Sequence, residues 1–159
     1  MKFTSTYQEQ PTTPEQIREA ERRMGVELPE EYKQYLLSHQ GGHPDPDVFR
    51  VKWSGQDWAK GSELNSVAWF LAPHDGKEEN LLDYYETHRD RIPKDTIPIA
   101  RDPGSNLVLL GISGPNRGKV FFWRREYEAA PWGAQEADYS NVGFVANSFR
   151  EFIDSLFAL

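Results

Sequence analysis

The 159-residue chain contains no cysteine. That absence excludes disulfides and thiol catalysis, removes the commonest zinc ligand, and agrees with a cytoplasmic setting. Basic residues are also scarce: 18 Lys and Arg stand against 25 Asp and Glu, for a net charge of -7. Such a surface repels phosphate backbones, so nucleic acid is not expected as a partner, whereas a basic partner is. Long apolar runs are missing too. Val67–Ala72 is among the longest, and a membrane-spanning helix needs about 20 residues. The first ten residues lack the apolar stretch of a secretory leader, so the cytoplasm is the expected location. Neither G-x-S-x-G nor H-E-x-x-H occurs, and serine-esterase and zinc-protease chemistry lose their usual signatures.

What is present reads as one α+β domain over residues 1–159, with a polar arm over 1–12 that is either loose or an edge strand. Thr13, Pro14 and Gln16 form a T-x-x-Q capping box, Ile17, Ala20 and Met24 recur at helical spacing, and Gly25 suits the residue after the helix. A second helix starts at Pro29, carries Tyr32, Tyr35 and Leu36 inward, and should end at Gly41-Gly42. Val48–Trp53 and Ser66–Ala72 read as strands, and Leu81, Leu82 and Tyr85 as one face of a short helix reaching about His88. Three strands follow in a meander: Ile97–Ala100, Leu107–Ile112 and Lys119–Trp123. The last two are apolar on both faces and therefore central, with cover above and below. Ser148 and Glu151 open the final helix, whose stripe is Phe149, Phe152, Ile153, Leu156 and Phe157. Residues 124–146 give no clear period.

Several motifs can be weighed for chemistry. Gly114–Val120 imitates a phosphate loop but leads into a strand and lacks the Ser or Thr that would hold magnesium, so it reads as a turn. His39, His43, Asp45 and Asp47 are the best metal candidates, yet Gly41 and Gly42 separate the two histidines and no further ligand completes a shell. An exposed acidic loop is the plainer reading. His74 with Asp75, or His88 with Asp83 and Glu86, could be drawn as acid–base pairs, but they lie in charged segments without the dry cleft that shifts a pKa. Trp53, Trp58 and Trp132 lie at strand ends or in loops, where a tryptophan is either a cap on the core or an interface anchor. Asp102-Pro103-Gly104-Ser105-Asn106 reads as a structural turn, with Pro103 supplying a fixed φ, Gly104 a positive one, and Asp102 and Asn106 local hydrogen bonds.

Taken in order, these pieces resemble the SUKH superfamily, which contains bacterial immunity proteins and fungal cell-wall and signalling regulators. The resemblance rests on Ile17, Glu21, Met24-Gly25-Val26, Leu28-Pro29, Tyr32-Lys33, Tyr35-Leu36 and Gly41-Gly42 at the start. It continues through Ile99-Ala100, Asp102, Gly104, Asn106 and Val120-Phe121-Phe122-Trp123, and ends on Ser148-Phe149 with Glu151-Phe152-Ile153. Gln40, Ser105 and Arg124-Arg125 depart from the pattern. The resemblance implies a twisted, largely antiparallel sheet with two N-terminal helices, one middle helix and one C-terminal helix packed around it. It further implies a protein-binding role without enzymatic activity or cofactor, most simply an antidote to a basic toxin domain such as a nuclease. A regulatory scaffold that docks a cellular partner is the alternative, and a small hydrolase using the His39–Asp47 loop a remote third. For an antidote, the expected contacts are Asp45, Asp47, Glu78 and Glu79 in solvated loops, with Trp53, Trp58 and Trp132 as anchors.

Overall fold

A computed structural model describes residues 1–5, 10–39, 41–74, 78–127 and 138–159. The first helix, α1 (Pro14–Met24), starts as its sequence predicts. Thr13 accepts from the Gln16 N–H at 3.2 Å, and the Gln16 side chain returns to the Thr13 N–H at 2.9 Å. Gly25 ends the helix in the left-handed region, at φ 68°. Its neighbour α2 (Glu30–Ser38) stops before the two glycines, with His39 already extended. Those glycines serve the sheet instead: Gly42 bridges Phe70, and a Cβ on Gly41 would stand 2.8 Å from the Phe70 carbonyl.

Among the described residues, nine short strands follow an almost wholly antiparallel plan. They are β1 (Lys2–Ser5), β2 (His43–Asp45), β3 (Val48–Arg50), β4 (Leu64–Ser66), β5 (Trp69–Phe70), β6 (Thr96–Arg101), β7 (Leu107–Gly111), β8 (Val120–Trp123) and β9 (Val142–Ala146). The main sheet runs β5-β6-β7-β8-β9. Pairs β1-β2 and β3-β4 are joined to its two sides by the Gly42–Phe70 and Lys52–Phe144 bridges. The polar arm thus supplies an edge strand. The segment expected to form one strand over Ser66–Ala72 is divided, because Ser66 pairs with β3 whereas the Ala68 N–H already bonds Arg101. The unplaced stretch after Arg124 contributes a strand, β9, that sequence periodicity missed.

Side chains alternate across β7 and β8 and load both faces. Val108, Leu110, Val120 and Phe122 join the buried residues of α1, α2, α3 (Leu81–His88) and α4 (Phe149–Ser155) in the principal core. Leu107, Leu109, Phe121 and Trp123 form a second core on the other face with Ile92 and Val142. Full burial of both faces places these strands centrally, as their composition predicts. In α4, Ser148 accepts from the Glu151 N–H at 3.1 Å, while the Glu151 carboxylate accepts from the Asn147 N–H instead of closing on Ser148. The predicted apolar stripe is shorter than its sequence. Leu156 turns extended, and Phe157 pairs through its backbone with Val48.

Candidate functional site

The β6–β7 corner is built by one carboxylate. Asp102 is buried at 7% exposure; its Oδ1 accepts from the Asn106 N–H at 2.7 Å and its Oδ2 from the Asn106 amide at 3.0 Å. Asn106 in turn accepts from the Arg125 N–H at 2.9 Å, linking the corner to the chain after β8. The positive φ expected at Gly104 falls on Ser105, at 64°. The Ser105 N–H bonds the Asp102 carbonyl, making Pro103 and Gly104 the central pair of a turn, so the left-handed residue is the one that follows them.

The sequence candidates disperse. His39 stacks on Tyr35 at 4.9 Å, whereas the His43 Nδ1 lies 2.9 Å from the Ala68 carbonyl. A carbonyl only accepts, so Nδ1 carries the proton and Nε2 faces Asp47 at 3.6 Å. Asp45 lies in β2 opposite Lys2, in a strand and not in the expected loop. Among the described residues no group of three His, Asp or Glu is placed to hold a metal. His74 is buried, and its sequence partner Asp75 lies outside the described residues. His88 is buried against Tyr84 and Trp123, whereas Asp83 and Glu86 are exposed on other faces of α3.

Glu79 corrects its expectation most clearly. It is not solvated: its side chain is 10% exposed and takes a forked pair of bonds from Arg101 (Nε at 2.8 Å, Nη2 at 2.6 Å). Tyr84 donates a third at 3.0 Å. Burial, with the Glu79 charge second, pushes the Tyr84 hydroxyl up to about 12, and the bond to Glu79 raises the Arg101 pKa. Glu78 beside it is exposed. Trp53 and Trp58 pack edge to face at 5.0 Å, both half-buried, and Trp53 donates to the Ser62 carbonyl at 2.9 Å. Trp132 lies outside the described residues.

A concave surface that sequence reasoning did not single out lies between α2 and α4. Two ridges of α2 meet it, Glu30–Gln34–Ser38 and Glu31–Tyr35, each at the i, i+4 spacing that shares a helix face, with His39 just past the helix end. From α4 come Phe149 with Ile153 and, one position on, Arg150 with Asp154. The buried members make the floor: Tyr35 and Phe149 meet edge to face at 4.9 Å, with Ile153 beside them. The exposed members make the rims. The cavity measures about 420 Å³. One Glu31 oxygen accepts from the Arg150 N–H at 3.1 Å and ties the two helices together. The helical spacing of each wall is legible in sequence; that α2 and α4 are neighbours is not.

Comparison with known proteins agrees with the fold. A model of the SMI1 / KNR4 family (SUKH-1) matches residues 11–155. The chain is also 30% identical over 156 residues to the SPbeta prophage-derived uncharacterized protein YokK of Bacillus subtilis (strain 168), covering 91% of this chain and 74% of that protein. The match takes in the paired N-terminal helices, the buried meander with its Asp102 corner and all of the last helix, and the chain belongs to the SMI1/KNR4 (SUKH-1) family.

Proposed function

We propose that this chain is a non-catalytic protein-binding protein, and specifically a cytoplasmic immunity protein that neutralises a basic toxin domain by direct binding. Membership of the SUKH-1 family, which includes immunity proteins, carries the reading. The charge of -7 supports it, because an acidic surface steers a basic partner toward contact and raises the association rate. Occluding a toxin needs no cofactor, metal or proton transfer; it needs a complementary surface with a few buried anchors. Asp45 and Glu78 are exposed and available to such a surface, whereas Glu79 is already held by Arg101.

Co-expression with any toxin domain encoded beside this gene is the test. Cells should survive, and the purified pair should associate fast at low salt and more slowly as screening shortens the field to about 8 Å near physiological ionic strength. Failure to protect, together with salt-independent binding to another cellular protein, would overturn the immunity reading in favour of a regulatory scaffold.

A further inference from the structure

We propose that the α2–α4 groove is the site where this chain receives an Arg or Lys side chain from its protein partner, a proposal that rests on the protein-binding reading above. The groove has the two features a long cationic side chain needs. Its floor of Tyr35, Phe149 and Ile153 is apolar and can cover the aliphatic stem. Its rims hold the carboxylates of Glu30, Glu31 and Asp154 against the single cation of Arg150, so the head group meets a net negative field.

Two other acidic clusters are already satisfied internally. Glu79 is saturated by Arg101 and Tyr84, and the Asp95 carboxylate takes hydrogen bonds from Tyr139 at 2.5 Å and Asn116 at 3.1 Å. Asp154, by contrast, has no ion-pair partner among the described residues. Tyr35, itself 8% exposed, has a hydroxyl with no hydrogen-bond partner among the described residues. The groove therefore offers unspent negative charge above an apolar floor, a combination that neither cluster provides.

The experiment uses the whole chain and two capped peptides, Gly-Arg-Leu-Arg-Gly and the same peptide with citrulline for arginine. Amide shifts in a ¹H–¹⁵N spectrum should move at Gln34, Ser38, Arg150 and Asp154 with the arginine peptide, and not with the uncharged one. The double variant Glu30→Lys, Asp154→Lys should weaken peptide binding about tenfold, while a charge-matched control on α3, Asp83→Lys, Glu86→Lys, should change it by less than about threefold. Both pairs are exposed, and an unaltered thermal midpoint shows that the fold is intact. Equal binding of the citrulline peptide, shifts centred elsewhere, or equal loss in both variants would overturn the proposal. In the co-expression assay, a groove variant that protects as well as the parent sinks the groove and leaves the immunity reading standing. A parent that fails to protect while the peptide still binds in the groove sinks only the immunity reading.

Discussion

Replacing Gly111 with alanine should be among the most damaging single-methyl changes in this protein. Gly111 ends β7, donates its N–H to the Lys119 carbonyl at 2.8 Å and accepts from the Gly118 N–H at 2.9 Å. A Cβ there would stand 1.9 Å from the Asn116 carbonyl oxygen and 2.7 Å from its carbon. Ordinary contact begins near 3.5 Å, so the Asn116 backbone must retreat by more than about an ångström. It is poorly placed to do so. The Asn116 amide donates to Asp95 at 3.1 Å and lies 3.0 Å from the Tyr139 hydroxyl, and its carbonyl accepts from the Lys119 N–H at 3.0 Å. Losing two of these bonds costs about 1 kcal/mol each. Overpacking against an unyielding backbone adds about 1–3 kcal/mol. The expected loss is therefore about 3–5 kcal/mol, a fall in Tm on the order of 10 °C for a chain of this size. Gly55→Ala is the matched control: Gly55 has φ 77° with nothing within 4 Å, so only the left-handed penalty of about 1–2 kcal/mol applies. Urea unfolding followed by tryptophan fluorescence measures both. If the two variants lose the same stability, the steric argument at Gly111 is wrong.

Asp102→Ala should cost about 1–2 kcal/mol, because the Asn106 N–H and amide both lose their acceptor, while Asp102→Asn, which keeps one oxygen, should cost less. Unchanged stability combined with lost partner binding would make the corner a recognition element instead. A second expectation concerns alkaline pH. Burial raises the hydroxyl pKa values of Tyr32 and Tyr35; burial and then Asp95 raise that of Tyr139; Tyr84 is pushed up to about 12. The folded chain keeps these protons above about pH 10, where an unfolded chain releases them, so their contribution to stability is complete below pH 10 and is lost as the pH climbs through 12. Tyrosinate absorbance from these residues should rise together with loss of circular dichroism. Full titration near pH 10 with the fold intact would contradict the burial.

The elements readable from sequence are those whose signals are local. The Thr13–Gln16 box, the left-handed Gly25 and the Ser148–Glu151 start depend on residues within one turn of one another, so spacing alone places them. The apolar doubling of β7 and β8 is equally local and correctly implies cover on both faces. What sequence hid depends on partners far along the chain. Strand β9 falls in the stretch without a clear period, and a Cβ on its Gly143 would come within 2.4 Å of Val51 and 2.8 Å of Trp53; the glycine is what lets those side chains lie on the strand. Phe157 continues the helical stripe by spacing, but pairing with Val48 pulls the chain out of the helix. Glu79 looks like one more solvated acid until Arg101, 22 positions later, is folded against it. The groove follows the same logic. Residue identity set the chemistry of each of its walls, but a gap of more than a hundred residues separates α2 from α4, and only the packing of both helices on the common core at Tyr32, Tyr35 and Phe149 makes the two walls face each other.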